Sequence, residues 1–171
     1  MSTDDRALAD LVERLRTRFY GKYRGIVSDV DPSTMRVKAT VPAVLGPTPT
    51  GWCLPCVPYA GPDVGFAFLP DIGAGVWIEF EGGDVSFPIW VGCYWHDNEV
   101  PTDVAADVRV LVTSAPVELK FDDSAGSLTI TDPNQNTLSL DSSGVTASNG
   151  SSSVVVSRSS VSVNDGALEV Q

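Results

Sequence analysis

From residue 117 onward one short pattern dominates the chain: two apolar residues with a single residue between them. It recurs as Leu119/Phe121, Leu128/Ile130, Leu138/Leu140, Val145/Ala147, Val154/Val156, Val161/Val163 and Leu168/Val170, at steps of 9, 10, 7, 9, 7 and 7 residues. Residues i and i+2 of an extended strand share a face, so each pair gives one short strand an apolar side. Turn-forming stretches such as DDSAG, DSSG and NDG separate the pairs. The result is a narrow ribbon with one apolar face and open edges, which it cannot cover by itself. Solenoid coils usually need ~20 residues, more than these steps allow. The spacing suits a ribbon wrapped with two copies of itself, a homotrimer with a thin Leu/Val/Ile interior. The interior would then hold Leu119, Phe121, Leu128, Ile130, Leu138, Leu140, Val154, Val156, Val161, Val163, Leu168 and Val170. The competing arrangement is an ordinary antiparallel sheet packed on the rest of the chain.

That segment differs in composition from what precedes it. Ser, Thr, Asn, Asp and Gly dominate it, and no aromatic follows Phe121. Residues 5–20 read as an amphipathic helix, with Leu8, Leu11, Val12, Leu15 and Phe19 forming one stripe and Gly21 ending it. From Tyr23 the period becomes two. YRGIVSDV and MRVKATV read as strands joined at DPST, a proline- and glycine-rich connection covers residues 42–62, and GFAFLP, GVWIEFE and FPIWVGCYW follow as strands. EGGD reads as a hairpin turn between the last two. Five short strands suit a small closed barrel of the OB type, with Phe66, Phe68, Trp77, Phe80, Phe87 and Trp90 as candidates for its interior. The predicted organisation is an N-terminal helix (1–21), a barrel (22–98), a polar linker (99–116) and the repeat ribbon (117–171). The fold class is therefore mainly β: an N-terminal α-helix, an OB-fold barrel, then a C-terminal ribbon wrapped with two copies of itself.

Charge narrows the functions. The net charge is −11, yet residues 1–24 hold six basic side chains against four acidic ones. Residues 39–108 hold nine carboxylates and no Lys or Arg. Such a body repels a phosphate backbone, which argues against a nucleic-acid partner. The N-terminus has acidic residues where a secretory signal needs basic ones and no apolar core, so cytoplasmic assembly without a signal peptide is expected.

Two cysteine motifs invite chemistry. GWCLPC resembles a dithiol redox site, but Pro58 and Pro62 follow where that site needs a helix. Cys53, Cys56, Cys93 and His96 together make an acceptable Cys₃His set for structural zinc. The apolar contexts LPCVPY and WVGCYW favour buried thiols instead, so no cofactor is expected. His96 is the only histidine, and no opposed pair of carboxylates stands out, so no catalytic residues are assigned.

The order of parts resembles phage baseplate assembly protein V and the central spike proteins of contractile injection systems. The resemblance spans about residues 20–171, and P-x-x-G-x-x-V-W-x-x-F-E-x-G-D, Pro70 to Asp84, is its most specific phrase. It implies that the ribbon forms a C-terminal triple-stranded β-helix needle, and that the chain is a non-enzymatic structural spike in a phage-tail-like particle, either a virion tail or an extracellular injection system. The spike would sit on a baseplate hub, plug the tube and be driven through the target envelope on sheath contraction. The stripe Leu8, Leu11, Val12, Leu15 and Phe19 is the candidate for docking that hub. No histidine lies near the C-terminal end to hold an axial metal, so the resemblance implies a separate tip protein of the PAAR-repeat kind. The alternative function is an OB-type binding module with an adhesive, β-rich fibre tail.

Overall fold

The computed structural model describes residues 3–170, and the chain divides into two compact units, residues 1–99 and 100–171. In the first unit, α1 (Thr3–Arg16) precedes a curled sheet. The helix stops at Arg16, short of the expected Tyr20. The Thr17 hydroxyl donates back to the Glu13 carbonyl at 3.0 Å, and the Phe19 N–H donates to the Gly83 carbonyl at 2.8 Å. The chain thus leaves the helix to become a strap on the sheet.

That sheet contains β1 (Tyr23–Asp31), β2 (Arg36–Thr40), β3 (Leu54–Pro55), β6 (Gly75–Phe80) and β7 (Pro88–Tyr94). Its order is β2-β1-β6-β7-β3. One short helical turn, α2 (Pro42–Leu45), follows β2, and β4 (Ala60–Gly61) and β5 (Val64–Gly65) form a small hairpin of their own. β3 runs parallel to β7, and Cys53 just before it bridges Val37 of β2, so the two ends of the sheet meet in an OB-like circuit. Bulges at Val27/Asp29 and at Trp77/Ile78 supply the local bend that curling needs.

The core is mainly aliphatic. Val27, Val37, Ala39, Val41, Cys53, Val76, Ile78, Phe80 and Trp90 are buried. Strand alternation explains the choice on β6: Val76, Ile78 and Phe80 point in, Trp77 and Glu79 do not. Of the six aromatics expected inside, only Phe80 and Trp90 are buried, while Phe66, Phe68 and Phe87 are exposed. The reason is placement. GFAFLP supplies no barrel strand, since only its Gly65 is in a strand and that strand belongs to the separate β4–β5 hairpin; the strand it was expected to supply is Leu54–Pro55 instead. EGGD likewise opens a longer connection, a 3₁₀ turn at Glu81–Gly83 that continues to Pro88.

The second unit is one antiparallel meander: β8 (Val108–Val112), β9 (Glu118–Asp122), β10 (Ser127–Thr131), β11 (Thr137–Asp141), β12 (Gly144–Ser148), β13 (Ser153–Val156), β14 (Val161–Val163) and β15 (Leu168–Val170). Each strand pairs only with its sequence neighbours. β8 falls within the stretch expected to be linker. Turns are held by their own side chains. Asp122 accepts from the Ala125 N–H at 2.8 Å, Asp132 from the Asn136 N–H at 2.9 Å, and Asp141 from the Ser143 N–H at 2.7 Å. Gly144 is obligatory at its position: its φ is +142°, and a Cβ there would lie 2.0 Å from the Val156 carbonyl oxygen.

Candidate functional site

Directly paired residues on neighbouring strands share a face of the sheet. Following the register across the ribbon therefore gives two continuous rows. The first runs Arg109, Phe121, Leu128, Leu140, Val145, Val156, Val161, Val170. The second runs Leu111, Leu119, Ile130, Leu138, Ala147, Val154, Val163, Leu168. Fifteen of these sixteen positions are apolar, Arg109 being the exception. Every residue expected in a trimer interior lies in one of the two rows.

The opposite face is polar along most of its length. Lys120, Thr129, Ser139 and Thr146 form one of its ladders, which continues through Val155 to Ser162. Exposure runs against what a self-sufficient sheet shows. Thr129, Ser139 and Thr146 are half-buried, whereas Ile130, Leu138, Leu140 and Val145 are exposed. Among the described residues of this unit none is buried. In the rows only Leu119, Leu128 and Val163 are half-buried and the other apolar positions are exposed, so the ribbon is an incomplete structure that a covering surface completes.

The helix α1 carries a second open stripe. Leu8, Leu11, Val12 and Leu15 are all exposed. Phe19 is not part of it. Its ring packs in a cluster with Tyr23 and Phe80, at centroid distances of 6.2 and 6.4 Å. The strap around it is ionic: Arg18 pairs with Asp84 at 3.0 Å, and Lys22 with Glu79 at 2.5 Å. Much of the basic N-terminal excess is thus met by the acidic barrel of the same chain. Gly83 gives the strap its seat, because a Cβ there would lie 3.1 Å from the Phe19 nitrogen.

The cysteine set is scattered. Cys53 is buried with its sulfur 3.2 Å from the Thr50 hydroxyl, and burial pushes its thiol above the usual range. Cys56 and Cys93 are exposed free thiols, and desolvation also raises Cys93. His96 is engaged with Glu99, its Nδ1 2.9 Å from the carboxylate. Among the described residues no three His, Cys, Asp or Glu side chains are placed to hold a metal ion. An apolar cleft of about 260 Å³ on the barrel, between Met35, Tyr59, Val64 and Phe66, is lined without a carboxylate, histidine or cysteine. Among the described residues no helix is long and apolar enough to cross a membrane.

Sequence reasoning missed β8, and with it Arg109. The signal was present in VRVLV, where valine recurs at every second position, but those valines face away from the rows that the later repeats define and that β8 joins through Arg109 and Leu111.

A curled five-stranded barrel followed by a ribbon that needs a covering surface defines a protein that associates through that ribbon. Two family models match in that same order: a Type VI secretion system/phage-baseplate injector OB domain over residues 23–95, and a phage baseplate V C-terminal trimerisation domain over residues 109–169. Together they cover more than three quarters of the chain, which belongs to the baseplate V family of injector proteins. Its second unit is a trimerisation domain, and its role is a structural one in the baseplate of a tail-like particle. No curated protein sequence matches it.

Proposed function

We propose that three copies wrap their ribbons about a common axis into a triple-stranded β-helix needle, the central spike of a contractile particle. The apolar rows face the axis and the Ser/Thr ladders face water. The observation that carries this reading is the inverted exposure of the ribbon, with the apolar rows mostly open and the threonines of its strands half-sheltered. Interwoven strands spread an axial load over many backbone hydrogen bonds at once, which suits a part that plugs a tube and is driven through an envelope on contraction. Burying two apolar side chains on each strand of three chains is worth on the order of tens of kcal/mol before chain entropy is subtracted.

The stripe Leu8, Leu11, Val12 and Leu15 is the proposed contact with the baseplate hub. The exposed end at Leu168 and Val170 is the proposed seat of a PAAR-type tip protein. No catalytic step, cofactor or nucleic acid enters this reading. Cys53 serves as packing within the barrel. Sedimentation equilibrium of the full chain tests the reading: a trimer stable to dilution is expected, and a monomer overturns it. Electron microscopy of the particle before and after contraction, with density for the needle at the leading end, tests the piercing role.

A further inference from the structure

We infer that Arg109, Asp123 and Asp107 form a charged layer at the β8 end of the ribbon's apolar face, and that Arg109 pairs between sister chains to fix the register in which three ribbons meet. The inference rests on the trimer proposed above.

Arg109 is the single charged residue in the two rows, and it stands at the head of the first, directly across from Phe121. Its guanidinium reaches Asp123 within the chain. Asp123 is the first residue after β9, and its ion pair with Arg109 places its carboxylate beside that row. Its N–H donates to the Asp107 carbonyl at 2.8 Å, which brings the backbone of Asp107, the residue before β8, directly opposite it. Every other position in the two rows is apolar, so Arg109 is the one charge set directly among them.

In the single chain this layer is open: the Arg109 and Asp123 side chains are 63% and 61% exposed. Closing three ribbons face to face removes the rows from water and draws the layer to the rim of the same covered surface. A guanidinium carries five donors in a planar fork, and one carboxylate satisfies at most two of them. The layer holds two carboxylates for each arginine. Three-fold symmetry therefore lets each Arg109 keep its own Asp123 and reach a carboxylate of the adjacent chain. Apolar rows tolerate sliding by one strand, because Val against Val resembles Val against Leu. A desolvated charge without its partner does not tolerate it, which is how a single polar layer specifies register in other self-associating structures.

The test uses the full chain in two differently tagged variants, Arg109→Glu and Asp123→Lys, produced separately and together, with trimer composition read by native mass spectrometry. Pairing between chains makes mixed trimers exceed the random share of about three quarters, with each variant alone dissociating at least tenfold more readily than wild type. Pairing confined within one chain penalises each variant whatever its neighbours are, and a random mixture then overturns the inference while leaving the trimer intact. A mixture that does not assemble also overturns it. The within-chain exchange Arg109→Glu/Asp123→Lys guards against simple misfolding, because it restores opposite charges and is expected to trimerise as wild type does. A monomeric wild type would instead overturn the trimer itself.

Discussion

Leu140 offers the sharpest test of the covered face. It lies midway along the ribbon, between Leu128 and Val145 in its row, and remains 40% exposed in the single chain. Were the face open, Leu140→Ala would forfeit only two cross-strand contacts, about 1 kcal/mol per chain. Under a covering surface the same change is a core truncation costing about 2–5 kcal/mol, and symmetry repeats it three times. The part owed to assembly is then roughly 3–12 kcal/mol, at least a hundredfold in the trimer dissociation constant. Thr146→Ala, on the opposite ladder, is the control and is expected to change stability by no more than about 0.5 kcal/mol per chain. Dilution series followed by sedimentation separate the outcomes. Equal, small shifts for Leu140→Ala and Thr146→Ala would show that nothing covers the rows, and the trimer argument would fall with them.

Two further outcomes follow from the turns. Gly144→Ala forces a Cβ to within 2.0 Å of the Val156 carbonyl, so it is expected to separate β12 from β13 and lower the thermal midpoint of the trimer, while an unchanged midpoint would contradict the geometry. Asp122, Asp132 and Asp141 are each held below the ordinary carboxylate value of 3.8, with the largest contributions coming from the Ala125 N–H, the Asn136 side chain and the Ser143 hydroxyl respectively. A depressed folded pKa means the unfolded ribbon takes up protons first, so this stabilisation is present above 3.8 and is lost as pH falls through the lower folded values. Urea midpoints are expected to decline on acidification in that window, less steeply in Asp141→Asn, and a midpoint indifferent to acid would refute the assignment.

The ribbon was legible in the sequence because its side-chain period is short and unbroken: each apolar pair from Leu119/Phe121 to Leu168/Val170 occupies a strand of its own. The hairpin of β1 and β2 was equally plain, with DPST at its turn. What the sequence hid were features set by partners distant along the chain. Leu54–Pro55 is two residues long and has no period to read; it is a strand only because β7 offers it a parallel edge. Phe19 fits a helical stripe by spacing, but Tyr23 and Phe80 offer its ring a better home than another turn of helix. Phe66 and Phe68 look like core by residue type and are exposed, because the loop that bears them forms no barrel strand. Arg109 escaped notice because β8 turns its valines to the opposite side from every later repeat.

The meander has a consequence for length. Because each strand bonds only to the strands before and after it, a hairpin can be inserted or removed between turns without rewiring any other pairing. Each such unit adds about 4.8 Å per strand along the stacking direction. The length of the ribbon is therefore a quantity that gene duplication can adjust in fixed increments, with the pairings of the other strands left as they are.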